Sequence, residues 1–518
     1  MKLVTAAQMR QLESSALVAG SSEAQLMEEA GLATAQEAWM LLGTLEGRRI
    51  LILAGPGNNG GDAMVAAKHL REWGAELFVY VPNPRANDEH SDELVQREIP
   101  IIEGADDVDG TNLAELLTSC ELVVDGLLGI GRSRQIADDD PIAKTLDAVR
   151  KIRDSASPPK LMAVDIASGM DPDAGTVDAH TVAPDLTVAF GLPKVGMYQY
   201  PGSNYTGRVQ VIDIGIPQAA TDAIDLELLT ARATRDALPA RPEDANKGSF
   251  GKVLIVGGSR RYRGAPVLVA KAAYRAGAGL ATIACAESII PSMAPSIAEA
   301  TWLPMPEAGG GTLAGDSAAE LRPELSTFDA AVVGPGLGWG EDSGALIWAL
   351  LPELGQLERG FVLDADGLNA VAEMADGAGR VPSSAVMTPH PGEMARLLGR
   401  EVAEIQGDRL GSAQEAAAKF GCTVVLKGAH TVVASGDAAR LCPYSNPLLA
   451  SAGTGDVLAG MIGGYLGQGL EPFKAACLAV YLHAAIGEGL RETHGAAGIR
   501  AGDMTEQLPL VVRELAAP

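Results

Sequence analysis

The sequence places an aspartate on the first turn of a predicted helix that opens from a glycine-rich loop. Residues 446–460 read Asn-Pro-Leu-Leu-Ala-Ser-Ala-Gly-Thr-Gly-Asp-Val-Leu-Ala-Gly. Gly453 and Gly455 would let backbone N–H groups converge on an anion, and the helix start adds the positive end of its dipole. Asp456 could then accept a proton from a hydroxyl nucleophile. The pattern favours phosphoryl transfer, although a lone Gly-x-Gly-Asp is more often a capped loop.

Three further loops of the same half of the chain support an anion site. Gly334–Gly338 and Thr388–Glu393 each follow a predicted strand, and Lys427–Thr431 lies between two predicted strands like a hairpin turn. Each loop alone is more often an ordinary turn, a satisfied histidine or a solvated bend. Together with the Asp456 loop they indicate a nucleotide site, in which the Lys-Gly turn offers an ammonium group and backbone amides to phosphates.

A second glycine-rich loop, Gly55–Asp62, lies in the first half of the chain. It follows a predicted strand and opens a helix, as dinucleotide-binding loops do. The next strand ends in Val-Tyr-Val without the acid that would hold a ribose, and Asn-Asn-Gly-Gly-Asp is more polar than close backbone approach requires. These side chains favour an ion or a sugar-phosphate held by oxygen ligands.

Polar residues at two other strand ends would add oxygen atoms to this first site. Asp125 closes Leu-Val-Val-Asp, and Asp165 closes Met-Ala-Val-Asp before Ile-Ala-Ser168. The carboxyl ends of parallel strands share one edge of a sheet, so Asn59, Asp125, Asp165 and Ser168 could converge there. Each aspartate alone is more often a cap or turn residue, but in this company the group predicts a binding site.

The elements that must position these residues follow an alternating strand and helix pattern, which predicts two α/β domains with parallel sheets and helices on both faces. Residues 5–39 are predicted helical. The predicted strands are 49–54, 76–81, 122–125, 161–165, 186–190 and 209–214 in the first half, and 252–256, 280–285, 330–333, 361–364, 386–388, 423–426 and 431–434 in the second.

The strand pattern stops around residues 216–241, a segment punctuated by prolines. We therefore predict a first domain of residues 1–217, a linker of residues 218–241 and a second domain of residues 242–518. The loop motifs of the two halves differ, so the domains are not an internal duplication.

Size and composition agree with this organisation, because 518 residues are too many for one hydrophobic core. The formal net charge of −26 argues against nucleic acid or an anionic membrane as a partner. Five separated cysteines without a Cys-x-x-Cys indicate neither a disulfide framework nor a zinc site. No window supplies about 18 apolar residues in a row, so we expect a cytoplasmic protein.

Residues 1 to about 217 resemble the NAD(P)H-hydrate epimerase (YjeF N-terminal) family. The resemblance rests on Asn58–Asp62, Val-Asp-Gly-Leu-Leu-Gly-Ile-Gly, Val-Asp-Ile-Ala-Ser-Gly and Phe190–Lys194. It implies a Rossmann-like doubly wound sheet, a potassium ion coordinated by Asn59, Asp125 and Ser168, and Asp165 as the substrate-contacting, catalytic acid. The hydrated dinucleotide would be held by Asn58, Asn59, Gly60, Gly61, Asp62, Gly129, Ile130, Gly131, Arg132, Ser133, Arg134 and Asp165.

Residues from about 245 to 515 resemble the ADP/ATP-dependent NAD(P)H-hydrate dehydratase (YjeF C-terminal) family, whose fold is that of ribokinase-like kinases. The resemblance is carried by Val-Leu-Ile-Val-Gly-Gly-Ser-Arg, Arg-Ala-Gly-Ala-Gly-Leu, Leu-Asp-Ala-Asp-Gly-Leu-Asn and the four loops above. It implies Mg²⁺ as a cofactor and Asp456 as the catalytic base. The substrate would be bound by Ala265, Gly336, His390 and Asp456, and ADP by Lys427, Gly428, Ala429, His430, Thr431 and Gly455.

The two domains in this order resemble the family of bifunctional NAD(P)H-hydrate repair enzymes. This implies that the first domain epimerises R and S hydrates of NADH and NADPH, and that the second dehydrates the S form while ADP is converted to AMP and phosphate. ADP is expected rather than ATP, and a homo-oligomer is expected. Two alternatives remain at this point: a ribokinase-class small-molecule kinase, and a first domain that only binds a nucleotide or dimerises.

Overall fold

The computed structural model describes residues 1–85, 89–131 and 135–517. The chain divides into a first compact unit, Lys2–Ile224, and a second that begins at Asp225. Both units are α/β, as the alternating pattern predicts.

The described part of the first unit forms a parallel sheet of seven strands in the order β3-β2-β1-β4-β5-β6-β7. The strands are β1 (Arg49–Ala54), β2 (Glu76–Val81), β3 (Ile101–Glu103), β4 (Leu122–Gly126), β5 (Lys160–Val164), β6 (Leu186–Phe190) and β7 (Arg208–Ile212). The helices are α1 (Ala6–Val18), α2 (Glu23–Leu42), α3 (Asn58–Glu72), α4 (Glu89–Gln96), α5 (Thr111–Ser119), α6 (Pro141–Arg153) and α7 (Gln218–Thr221), with 3₁₀ turns at Val195–Tyr198 and Gly202–Tyr205.

The strand order of this sheet changes direction between β1 and β4, which are hydrogen-bonded neighbours. Five of the six residues of β1 and all five of β4 are buried, because helices cover both faces of a doubly wound sheet. The loops after β1 and β4 leave the sheet in different directions, and such a switch point opens a crevice at the carboxyl ends of the strands. The Gly55–Asp62 motif after β1 and the motif that starts at Asp125 in β4 both lie at this crevice.

The described part of the second unit forms a ten-stranded sheet in the order β11-β10-β9-β12-β13-β14-β15-β16-β17-β8. The strands are β8 (Leu226–Leu228), β9 (Lys252–Val256), β10 (Leu280–Ala286), β11 (Thr301–Met305), β12 (Ala330–Val333), β13 (Phe361–Leu363), β14 (Ala385–Met387), β15 (Thr423–Leu426), β16 (Val432–Ser435) and β17 (Ala438–Leu441). Neighbours from β11 to β15 are parallel, whereas β15, β16 and β17 pair antiparallel.

Helices cover this second sheet on both faces. They are α8 (Ala231–Asp236), α9 (Gly264–Ala276), α10 (Ile290–Met293), α11 (Ser317–Leu325), α12 (Glu341–Leu354), α13 (Asp366–Glu373), α14 (Gly377–Arg380), α15 (Pro391–Leu398), α16 (Val402–Gly407), α17 (Arg409–Phe420), α18 (Thr454–Gly467), α19 (Pro472–His494) and α20 (Ala501–Ala516). Further 3₁₀ turns lie at Lys247–Phe250, Glu287–Ile289, Ala294–Ser296 and Pro447–Leu449.

Helix α18 packs closely on α9 because glycines line its contact face. A Cβ added at Gly460 would lie 2.3 Å from the Val269 carbonyl oxygen, and one added at Gly464 would lie 2.8 Å from that of Ala273. Any larger residue would push the helices apart. This close contact sets the position of the start of α18, which carries Asp456.

Helix α19 is long and apolar enough to cross a membrane by length and composition, with a mean hydropathy of 1.2 in its best window. Within the second unit 67% of that window is buried. The core helix of a globular domain has the same properties.

The segment 218–241, predicted as a linker, contains α7, β8 and α8. Strand β8 pairs in parallel with β17, so it belongs to the second sheet. Only Leu228 of its three residues is buried. A strand this short shows no apolar periodicity in the sequence.

Candidate active sites

A buried ion pair marks the first site, at the carboxyl ends of β5 and β6. The ammonium group of Lys194, which is 0% exposed, contacts Asp165 Oδ1 and donates to the Phe190 carbonyl oxygen at 3.1 Å. The backbone N–H of Phe190 donates to the same Asp165 Oδ1 at 3.0 Å. Asp165 has a φ of +61°, a strained value for a residue with a side chain. The surroundings therefore hold this carboxylate in one place.

Lys194 was not among the predicted site residues. It ends the Phe190–Lys194 motif, and only the return of the chain after β6 brings it to Asp165. Its place in the Phe190–Lys194 motif is the signal in the sequence that could have indicated it.

The predicted potassium ligands form one hydrogen-bonded network beside this pair. The Ser168 hydroxyl donates to Asp125 Oδ1 at 2.6 Å, and the Ser168 N–H donates to Asp125 Oδ2 at 3.0 Å. The Asn59 side-chain amide donates to the carbonyl oxygens of Leu128 and Val164 at 3.1 and 2.9 Å. The amide nitrogen is thus committed to the backbone, which leaves the Asn59 oxygen to act as a ligand.

The charge of Asp125 calls for a cation. The Asp125 side chain is buried, and burial raises its pKa. The hydrogen bonds from Ser168 and Leu127 act in the opposite direction and lower this pKa. Among the described residues no Lys, Arg or His forms an ion pair with it. Side-chain oxygens of Asp, Asn and Ser with nearby carbonyl oxygens are hard ligands, so the residues present fit a potassium ion.

Two more carboxyl groups face the Asp165–Lys194 pair. Asp62 is 9% exposed on the first turns of α3, and its pKa is raised well above the ordinary value by burial and by the charges of Asp165 and Glu13. The pKa of Glu13 on α1 is likewise raised, first by burial and then by Asp165. Glu13 lies within a helical pattern without a motif, so no signal in the sequence indicates it.

The remaining predicted residues of the first site lie around this group. Helix α3 begins at Asn58, so Asn59, Gly60 and Gly61 form its first turn rather than the preceding loop. A Cβ added at Gly129 would lie 3.2 Å from the Asn59 side chain, which places the loop after β4 against α3. Ile130 and Gly131 continue that loop. The predicted residues Arg132, Ser133 and Arg134 lie outside the described residues.

Asp456 occupies the predicted position at the second site. Helix α18 begins at Thr454 after Gly453, whose φ of +88° requires the freedom of glycine, and Asp456 lies in the first turn. Burial and the neighbouring charge of Asp364 raise the pKa of Asp456 to about 7, while Lys427 opposes the shift. A carboxyl group that titrates near neutral pH suits a general base.

Lys427 forms ion pairs with two carboxylates of the second site. Its ammonium group lies 2.8 Å from Asp364 Oδ1 and 3.8 Å from Glu393 Oε2, and Thr388 donates to the same Asp364 oxygen at 2.7 Å. Burial acts to lower the pKa of Lys427, but the charges of Asp364 and Glu393 outweigh it and raise this pKa. Asp364 was not predicted as a site residue, although it lies in the Leu-Asp-Ala-Asp-Gly-Leu-Asn motif.

The turn after β15 comes close to the start of α18. A Cβ added at Gly455 would lie 3.4 Å from the Lys427 ammonium nitrogen. Gly428, Ala429 and Thr431 continue this turn between the antiparallel strands β15 and β16, as predicted. The His430 side chain is 6% exposed and hydrogen-bonded to the Cys442 carbonyl oxygen at 3.0 Å, so its backbone is the part available to a nucleotide.

The predicted substrate residues form the other side of the second site. Gly336 abuts α9, because a Cβ there would lie 2.8 Å from Tyr262 Cβ and 3.1 Å from Ala265 Cβ. A Cβ at Gly453 would lie 2.7 Å from Leu268, one turn after Ala265, so the starts of α9 and α18 are neighbours.

His390 is the N-cap residue of α15 and presents a neutral imidazole. Its Nδ1 accepts the N–H groups of Gly392 and Glu393 at 3.0 and 3.3 Å, which leaves the proton on Nε2. Burial and the charge of Lys427 lower the pKa of His390. The ring can therefore donate one hydrogen bond to a ligand.

A histidine that the sequence did not indicate supports the first turn of α18. His483 on α19 is 9% exposed, and its Nε2 donates to the Thr454 carbonyl oxygen at 2.9 Å. Burial lowers the pKa of His483 to about 4, so the ring is neutral at physiological pH.

Within the described residues no group of three His, Cys, Asp or Glu side chains could hold a metal ion. In kinases and ATPases, Mg²⁺ is bound largely through nucleotide phosphates with one or two carboxylates. Asp364 and Glu393 supply carboxylates beside the predicted phosphate loops, so the residues present fit a Mg²⁺ ion that arrives with its nucleotide.

Comparisons with known proteins identify the family of each half of the chain. Residues 253–510 match the family model described as NAD(P)H-hydrate dehydratase, and residues 23–196 match that of the YjeF-related protein N-terminus. A protein of Moorella thermoacetica named bifunctional NAD(P)H-hydrate repair enzyme is 39% identical over 99% of this chain and 97% of its own length. One of the same name from Thermofilum pendens is 36% identical over 96% of this chain and 93% of its own length.

A solved structure resembles the second unit. The ADP/ATP-dependent NAD(P)H-hydrate dehydratase of Bacillus subtilis, co-crystallised with ATP and Mg²⁺, covers 57% of this chain and 100% of its own. It has 33% sequence identity and a TM-score of 0.50. A ribokinase-like superfamily protein of Enterococcus faecalis covers 57% of this chain and 98% of its own, with 26% sequence identity and a TM-score of 0.50. The ribokinase-like fold predicted for this half of the chain is thereby confirmed.

Proposed function

The chain belongs to the family of bifunctional NAD(P)H-hydrate repair enzymes, and we propose how its two units divide the repair of hydrated NADH and NADPH. The first unit interconverts the R and S hydrates. The second unit dehydrates the S form and uses ADP, which becomes AMP and phosphate. Epimerisation keeps the R form from accumulating as a dead end.

The second activity depends on Asp456, which lies on the first turn of α18 near Lys427. Its pKa of about 7 suits it to accept a proton near neutral pH. The hydrate bears a hydroxyl at C6, which is a poor leaving group. Asp456 accepts the hydroxyl proton while the C6 oxygen takes the terminal phosphoryl group of ADP. Loss of phosphate from C6 and of a proton from C5 then restores the C5–C6 double bond.

The loops around Asp456 supply the positive field that this transfer needs. The backbone N–H groups of residues 452–455 face the transferring phosphoryl group at the positive end of the α18 dipole. Lys427 and the turn to Thr431 bind the ADP phosphates. Ala265, Gly336 and His390 bind the hydrated nicotinamide nucleotide. Asp364 and Glu393 would hold a Mg²⁺ ion together with the nucleotide phosphates, and the ion would offset phosphate charge.

In the first unit, Asp165 and Lys194 contact the C6 hydroxyl of the hydrate. Asn58–Asp62 and residues 129–134 hold the rest of the substrate. Potassium bound by Asn59, Asp125 and Ser168 would fix the relative positions of α3 and of the loops after β4 and β5. The buried, hydrogen-bonded Asp125 supports this ligand set.

We also propose a cytoplasmic location and a homo-oligomer. All five cysteines are free, as is usual in a reducing compartment. Trp39 and Met40 of α2 are 54% and 60% exposed, which is compatible with a subunit contact. Light scattering of the purified protein measures the oligomeric state.

The variant Asp456→Asn tests the second site. Asparagine keeps the size and capping ability of aspartate but cannot accept the hydroxyl proton. Removal of a general base costs about 10²- to 10⁴-fold in rate, so ADP-dependent dehydration should fall by that factor while ADP affinity and epimerisation stay within about twofold.

Near-normal dehydration by this variant would show that Asp456 is only a helix cap. Assays with purified R and S hydrates, each with ADP or ATP, separate the two activities and identify the nucleotide.

A further inference from the structure

Helix α1 lies before residue 23, where the match to the N-terminal family model begins, yet the structure ties it to the first site. Val4, just before the helix, pairs with the chain next to Lys194: its N–H donates to the Pro193 carbonyl oxygen at 3.1 Å, and its carbonyl oxygen accepts from Val195 at 3.0 Å. The helix thus starts at the segment that carries the buried lysine.

Side-chain contacts continue along the same helix. A Cβ added at Gly191 would lie 2.7 Å from the Met9 methyl group, so Met9 packs on the end of β6 beside Phe190. Arg10 donates from Nη2 to the Ile130 carbonyl oxygen at 3.0 Å, in the loop predicted to hold the substrate. The helix therefore spans from the Lys194 segment to the substrate loop.

Glu13 follows Arg10 by three residues, so the two side chains share a face of α1. The face that reaches Ile130 thus also presents Glu13, which is half-buried. The charged groups around it are Arg10 on its own helix, Asp165 after β5, Lys194 after β6 and Asp62 on α3. Glu13 is therefore part of one cluster with the predicted catalytic carboxylate.

We propose that α1 supplies Glu13 as a second proton-transfer group of the epimerase site, acting as an acid while Asp165 acts as a base. This inference rests on the epimerase activity proposed above for the same site. The two carboxyl groups have different surroundings: Asp165 is ion-paired with Lys194, whereas burial and the charge of Asp165 raise the pKa of Glu13. Glu13 is thus suited to hold a proton, and it lies on the face of α1 that reaches the substrate loop through Arg10.

Epimerisation at C6 needs these two roles, because C6 carries both the hydroxyl and the ring nitrogen. Asp165 accepts the hydroxyl proton, the oxygen forms a carbonyl with C6, and the C6–N1 bond breaks. Its electron pair goes to N1, which takes a proton from Glu13. Rotation about C5–C6 exposes the other face of the aldehyde, and the reverse steps close the ring as the opposite epimer. Atoms and electrons balance without a co-reactant.

The test measures interconversion of purified R and S hydrates without ADP, with the spontaneous rate subtracted, in the full-length chain. Glu13→Gln should lower kcat by about 10²-fold or more, with KM within about threefold. The wild-type rate should fall at high pH as the acid loses its proton, and the variant should lack this fall. Glu13→Asp should recover part of the rate and the pH dependence. Glu115→Gln, an exposed acid on α5, is the matched control.

Epimerisation by Glu13→Gln within about twofold of wild type, or an unchanged pH profile in a slower variant, would overturn the proposal. Thermal unfolding and ADP-dependent dehydration of the S hydrate verify that the variants are folded. If Glu13→Gln does not fold, the pH profile of epimerisation by Glu13→Asp tests the proposal instead. A purely structural role of Glu13 predicts that the fall in rate at high pH occurs at the same pH in Glu13→Asp as in wild type. A wild-type chain without epimerisation would instead refute the function proposed for the first unit.

Discussion

At the scale of single residues, the two predicted catalytic aspartates have opposite surroundings. Asp165 contacts the buried ammonium group of Lys194. Asp456 lies near the carboxylate of Asp364, and Lys427 compensates this repulsion only in part. One site thus holds a stable ion pair, whereas the other holds a carboxyl group that gains or loses its proton near neutral pH.

This difference predicts a pH dependence for dehydration. Asp456 must be deprotonated to accept a proton, and its pKa is about 7 in the free protein. The value of kcat/KM for the S hydrate should therefore rise with pH through this region, and fall about tenfold per pH unit below it. Initial rates from about pH 5.5 to 8.5 at saturating ADP measure the profile. A flat profile would show that Asp456 is not the base.

Sequence motifs predicted site residues at the ends of strands and at the start of a helix. Asp456, Asp165 and Asp125 stand out because glycines and strand ends surround them. Glu13 and His483 could not be predicted, since each lies inside a helix without a motif and reaches its site only through tertiary packing.

At the scale of elements, the central strands were predictable because burial on both faces requires continuous apolar runs. The strands that the sequence did not predict are β3, β8, β11 and β17. The first three form sheet edges, and β17 is next to β8. These edge strands are less buried than the central strands, and β11 contains Pro304, which argues against a strand in a sequence.

The contact between α19 and α18 gives a prediction at this scale. His483→Phe removes the hydrogen bond to the Thr454 carbonyl oxygen while keeping a ring in the core. Loss of one such bond should cost about 1 kcal/mol of unfolding free energy. Because the first turn of α18 carries Asp456, dehydration should slow by about tenfold, with epimerisation unchanged.

His483→Gln is the matched variant, because its side-chain amide can donate to the same carbonyl oxygen. It should recover part of the lost rate. Equal rates for wild type and His483→Phe would show that the hydrogen bond does not position Asp456.

At the scale of the whole molecule, separate cores predict separable activities. Asp125→Asn keeps the shape of the side chain but removes its charge from the network with Ser168. Epimerisation should fall at least about tenfold at moderate potassium and recover in part at higher potassium, while dehydration of the S hydrate stays within about twofold.

Asp139→Ala, an exposed aspartate of the same unit, should change neither activity. Equal loss of both activities in Asp125→Asn would contradict two independent sites. Epimerisation without any dependence on a monovalent cation would contradict the potassium ligands.

Strand β8 determines where the chain can be split into two separately folding domains. It completes the second sheet with residues that lie upstream of every other strand of that sheet, and Glu227 forms an ion pair with Arg440 of β17 at 3.1 Å. A split downstream of Leu228 would uncover the backbone groups of β17, and bare strand edges promote aggregation. A split upstream of Asp225 would leave the sheet whole. The part of the predicted linker from Asp225 onward would therefore have to stay with the dehydratase domain when the two domains are encoded separately.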